Sequence, residues 1–84
     1  MIKPIIGRYY IIKNPDEPSN NIANEEEFYV DFLRELYGTA IRCDTLETEF
    51  DNKDAFSYRG SEYLILNTFI NREVTLKDDP ELFL

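Results

Sequence analysis

Residues 24–38 read NEEEFYVDFLRELYG, and this stretch decides the fold class. Asn24 is a good helix N-cap, and Glu25, Glu26 and Glu27 fill the first turn, where carboxylates complement the positive end of the helix dipole. Glu27 stands where a capping box needs an acid. Gly38 supplies a left-handed stop. Between them, Phe28, Tyr29, Phe32, Leu33, Leu36 and Tyr37 recur at helical spacing, and Glu27, Asp31, Arg34 and Glu35 share the opposite arc. The spacing predicts an amphipathic helix over about 25–37.

On both sides of the helix the period changes to two. Residues 5–13, rich in Ile and Tyr, predict a strand with only Arg8 interrupting its apolar faces, hence a central strand. Residues 14–21, with two prolines and three asparagines, predict a loop. Residues 39–50 return to strand character, with Leu46, Thr48 and Phe50 alternating against Glu47 and Glu49. Asp51 to Asp54 reads as a turn. Residues 55–59 and 61–70 read as a hairpin around Gly60, and Asn71-Arg72 as a reversal into a last strand over 73–77. The tail Glu81-Leu82-Phe83-Leu84 is apolar enough to dock on the domain. The expectation is a single α+β domain over 1–84, with one helix packed on a small antiparallel sheet of four to five strands. The alternative is a small barrel of the SH3 type with the helix as an insertion, since a meander of short strands can close on itself.

The chain has 84 residues, enough for one core. It carries 17 Asp and Glu against 9 Lys and Arg, a formal charge of −8. Direct binding to nucleic acid or to an anionic membrane is therefore disfavoured, because both draw affinity from basic residues. No apolar run approaches the roughly 20 residues of a membrane span. Met1 to Pro4 does not open a signal peptide. With the lone Cys43, these features predict a cytoplasmic protein (host cytoplasm, if viral).

The sequence narrows the chemistry sharply. There is no histidine, so the commonest general base, metal ligand and nucleophile partner are missing. Cys43 sits in a strand pattern and reads as a small buried hydrophobe. Gly7, Gly38 and Gly60 are too far apart for a phosphate loop. Residues 51–56 fail the calcium-loop pattern, with Lys53, Ala55 and Phe56 where oxygen ligands and glycine belong. Glu47 and Glu49 project the same way, about 6.7 Å apart along a strand, but so short a chain leaves little room for a substrate cleft. No catalytic residue, cofactor or metal site is expected.

What remains is surface. The acids at the helix start have a capping role, and those near the end contribute solubility. The strip Asp44, Glu47, Glu49, Asp51 and Asp54 is different: like charges along one strand repel, and only Lys53 lies among them. These five are the candidate partner-binding residues. Six tyrosines are too many to bury in so small a core, so some should reach the surface. The expected function is a non-enzymatic acidic binding protein, an inhibitor that occupies the basic nucleic-acid-binding surface of a larger protein. In size and charge it is similar to small viral and phage inhibitors that mimic nucleic acid; no motif adds to that likeness. The alternative is an assembly module that forms a homodimer or docks on a subunit through a strand edge or the apolar tail.

Overall fold

The Ile- and Tyr-rich run near the N-terminus does form the middle of a sheet, but a shorter one than its composition predicts. In the computed structural model, which describes residues 1–50 and 53–83, β1 spans Tyr9–Ile12. Ile5 to Gly7 instead make a turn: the Arg8 amide donates to Ile5 O at 3.1 Å, and Gly7 takes a φ of 91°. Ile5 and Ile6 are left exposed. Apolar character alone does not separate a strand from a turn that precedes it.

The helix α1 runs Glu27–Leu36, two residues later than predicted. Asn24 closes a 3-10 turn over Ile22–Asn24, Glu26 takes the N-cap, and no side chain caps the helix. Buried Ile22 in that turn is what holds the chain out of the helix. The C-terminal stop is as expected, with Gly38 at φ 86°. Tyr29, Val30 and Leu33 form the buried face, while Phe28 and Tyr37 are exposed. The inward face is thus rotated from the sequence reading, towards Val30.

The remaining strands are β2 (Ile41–Arg42), β3 (Thr45–Phe50), β4 (Lys53–Ser57), β5 (Ile65–Leu66) and β6 (Ile70–Val74). All pairings are antiparallel. The result is α+β as expected, but six strands lie in two three-stranded sheets, ordered β2-β1-β6 and β3-β4-β5. The chain turns back at a 3-10 turn over Asn67–Phe69, not at Asn71-Arg72, which lie inside β6. Arg72 there pairs with Ile11. The last strand correspondingly ends at Val74, and β4 already begins at Lys53 where a turn was read. The tail forms a 3-10 turn over Pro80–Phe83; Leu84 lies outside the described residues.

Two corners join the sheets. At the first, the Cys43 amide donates to Arg8 O and the next amide, Asp44, to Ser57 O, each at 2.8 Å. Consecutive residues thus serve different sheets, and the strand signal of residues 39–50 resolves into two strands, β2 and β3, that share a corner. At the second, the turn Asn67–Phe69 carries β5 into β6. Among the described residues the strands form two separate three-stranded sheets, with α1 inserted between β1 and β2. The core lies between the sheets, where Tyr10 and Phe56, both fully buried, set their rings 5.8 Å apart.

Short β5 has β4 on one side and, among the described residues, no strand on the other. Tyr29 of α1 fills that role. Its hydroxyl donates to Leu64 O at 2.7 Å and accepts from the Leu66 amide at 3.2 Å. Burial pushes its pKa up to about 12, against the opposing effect of the Leu66 amide. The folded phenol is thus protonated up to higher pH than the unfolded one, so this contribution is complete below about pH 10 and is lost as pH rises towards about 12. Tyr29→Phe leaves both peptide groups without this partner and should cost about 1–3 kcal/mol in urea unfolding at neutral pH. In the wild type, one tyrosine should titrate last in a phenolate absorbance titration, and that step should vanish in the variant.

After β6, Asp78 organises the next turn. Its carboxylate accepts from the Thr75 amide at 3.2 Å and hydroxyl at 3.1 Å, and pairs with Arg72 at 3.3 Å. The Thr75 hydrogen bonds hold its pKa below the usual carboxylate range. A depressed pKa stabilises the fold above the unfolded value, about 3.9, and this is lost as pH falls through the lower folded value. Asp78→Ala should therefore lower the thermal midpoint at pH 7, with the difference from wild type closing in strong acid.

Candidate functional site

The five strip residues do not share one fate. Asp44 is drawn into the fold: its side chain is only 21% exposed, pairs with Arg42 at 2.7 Å and accepts from the Arg59 amide. It fixes the 58–60 turn to the sheet corner. Glu47 is exposed on β3, the edge strand of its sheet, with Ala55 opposite. Because Leu46 stands opposite Phe56, alternation puts Glu47 on the Ala55 face and exposed Asp54 on the Phe56 face. A register irregularity follows Glu47. Glu47 and Asp54 therefore leave the hairpin on opposite faces. The Glu49 side chain and all of Asp51 lie outside the described residues. Leu46, on the face of β3 opposite to Glu47, is 48% exposed.

The concavity lies elsewhere, at the base of this hairpin. A cleft of about 330 Å³ opens between α1 and residues 58–63. Its aromatic wall is Phe28 and Phe32 from the helix and Tyr58 and Tyr63 from the opposing segment. Phe32 sits at the centre, 5.1 Å from the Tyr63 ring and stacked on Tyr58 at 6.4 Å with an 18° tilt. Phe28 meets Tyr63 at 5.9 Å yet stays 56% exposed. Gly60, at φ 84°, turns the opposing segment, and the Asp44 bond to the Arg59 amide anchors it.

Carboxylates ring the aromatics: Asp31, Glu35 and Glu62 line the cleft, and among the described residues no Lys or Arg does. Asp31 is engaged by Arg34 at 2.6 Å, and Arg34 also holds Asp16 at 2.8 Å. Glu35 and Glu62 are exposed and have no ion-pair partner among the described residues. The sequence reading passed over this site because it assigned Phe28 and Phe32 inward. The available signal was the double i, i+4 pattern, Phe28/Phe32 beside Asp31/Glu35, which sets an aromatic stripe against an acidic one.

The chemistry elsewhere is sparse. Cys43 is fully buried, and burial, then the nearby Asp44 charge, pushes its thiol pKa up, which keeps it a neutral core residue. Two of the tyrosines, Tyr10 and Tyr29, are buried with their hydroxyls bonded. Tyr58 and Tyr63 are half-buried at the cleft and Tyr37 is exposed. Among the described residues no group of His, Cys, Asp and Glu is arranged to hold a metal ion, and no helix is long and apolar enough to cross a membrane.

No protein-family model matches this chain, and neither a curated protein nor a solved structure is detectably similar to it. The geometry itself separates anchoring acids from surface acids. Asp44→Ala should cost about 1 kcal/mol and broaden the Tyr58 ring signals in NMR, whereas Glu62→Gln should leave the urea midpoint unchanged.

Proposed function

We propose that this chain is a non-enzymatic acidic binding domain that occupies a basic surface, of the kind that holds nucleic acid, on a larger protein. One observation carries the reading: four of the nine basic residues are engaged by the chain's own carboxylates, and the acids still outnumber the rest. Arg8, Arg34, Arg42 and Arg72 are each held by the chain's own carboxylates. These pairs neutralise themselves, so the net charge of −8 is carried by the remaining, mostly acidic, charged groups. Such a surface speeds encounter with a basic partner and makes association sensitive to salt. The hairpin β3–β4 supports the reading by placing Glu47 and Asp54 in solvent on both of its faces.

A second reading follows from β3 itself. It is an edge strand, and Leu46 on it is 48% exposed, which suits strand addition by a second copy or by a subunit. Salt separates the two readings. An acidic inhibitor should capture a nucleic-acid-binding protein at low salt, release it at high salt, and be displaced by added DNA. A strand-edge module should associate at any ionic strength and show a dimer mass by light scattering. Reversal of Glu47 and Glu49 to Lys should abolish the salt-sensitive binding with no change in unfolding midpoint. Normal binding by that variant would sink the role of the strip.

A further inference from the structure

We propose that the cleft between α1 and residues 58–63 receives an arginine side chain of the basic partner. The proposal deepens the reading above and rests on it. It assigns recognition to Phe28, Phe32, Tyr58 and Tyr63 with Glu35 and Glu62, none of which belongs to the acidic strip.

The argument starts from ring geometry. A guanidinium is planar, weakly hydrated and able to stack on an aromatic face while donating in its plane to carboxylates. The cleft offers both at once. Four rings, linked in a row as Phe28–Tyr63–Phe32–Tyr58, form one wall, and Glu35 and Glu62 stand at the rim without an ion-pair partner among the described residues. The complementarity is one-sided, since every charged residue lining the cleft is acidic. An anionic ligand would meet only repulsion there, and a neutral apolar one would leave the carboxylates unused.

Size narrows the occupant further. At about 330 Å³ the cleft lies at the low end of the roughly 300–1,000 Å³ of small-molecule sites, which suits one extended side chain. Arginine is favoured over lysine because its fork can reach two carboxylates while its plane lies against a ring. Asp31 is already bound by Arg34 of the same helix, which leaves Glu35 and Glu62 to receive the incoming guanidinium. The position is also suited to an anchor. The rings are fixed from beneath by Tyr29, whose ring meets Phe32 at 5.9 Å and Tyr63 edge-on at 6.3 Å. The site is thus preorganised by the core, which limits the ordering cost of binding.

The test uses the full chain and a glycine-serine heptapeptide carrying two arginines, against the same peptide with both replaced by neutral, isosteric citrulline. Binding is followed by NMR of ring protons and backbone amides at low salt. The expected result is saturable shifts at Phe28, Phe32, Tyr58 and Tyr63, with the citrulline peptide at least about tenfold weaker. Glu35→Gln with Glu62→Gln should weaken the arginine peptide about tenfold with an otherwise unchanged spectrum. Phe28→Ala, at an exposed position, should weaken it several-fold without loss of fold. Equal binding of the citrulline peptide, an unaffected affinity in the Glu35/Glu62 variant, no shifts, or shifts centred on β3–β4 would each overturn the cleft assignment. Those outcomes leave the acidic-binder reading to the Glu47 and Glu49 reversal. Conversely, cleft shifts together with normal partner binding by the reversal variant overturn the strip and leave the cleft standing.

Discussion

The structure depends on how a strand of two residues is kept in place. β5 pairs with β4 on one side, and its other side meets a phenol instead of a strand. Through one hydroxyl, Tyr29 satisfies a carbonyl and an amide of the edge, and its ring packs on Phe32, Tyr63 and Phe69. The helix is therefore docked by a directional bond as well as by apolar burial. That matters because a helix of ten residues is too short to be stable by itself. Its orientation places Phe28 and Phe32 beside Tyr58 and Tyr63, so the shape of the cleft follows from the way the sheet edge is closed.

The charge is distributed by the same logic. Carboxylates are used where they can hold a backbone turn, as Asp44 holds Arg59 and Asp78 holds Thr75. These consume the arginines nearest to them. Glu35, Asp54 and Glu62 are among the acids that face water. Surface ion pairs contribute little to stability individually, so the chief effect of this internal pairing is on the field outside the molecule. With four of its nine cations engaged in this way, the chain keeps an excess of carboxylates among its remaining charges.

The fold class was legible in the sequence because period and punctuation agree. Helical spacing ends at Gly38, and period two begins after it. The details that were not legible are those set by long-range contacts. The start of α1 depends on Ile22 entering the core, which no local propensity encodes. The length of β1 depends on a turn over Ile5 to Gly7, whose residues look strand-like. The division into two sheets depends on a change of partner between Cys43 and Asp44, and nothing in either residue announces a corner. The site was hidden for a related reason. Aromatic residues at helical spacing read as core, and whether Phe28 faces inward turns on where Val30 goes. Asp44 illustrates the converse, since a carboxylate in an acidic run reads as surface until the amide it captures is known.

The pairing of β1 with β6 also governs the order in which the molecule can assemble. Tyr9 is opposite Val74 and Tyr10 opposite Glu73, so the first sheet closes a loop of more than 60 residues. By contrast β3 and β4 are neighbours in the chain, with Phe50 opposite Lys53. Near contacts form before distant ones when loop closure is the main entropic barrier. The acidic hairpin is thus suited to an early appearance, and the central strand β1 to completion only after the far end of the chain has emerged from the ribosome. During that interval the edge of β1 that will pair with β6 is open, and the charge on the growing chain helps keep nascent molecules apart.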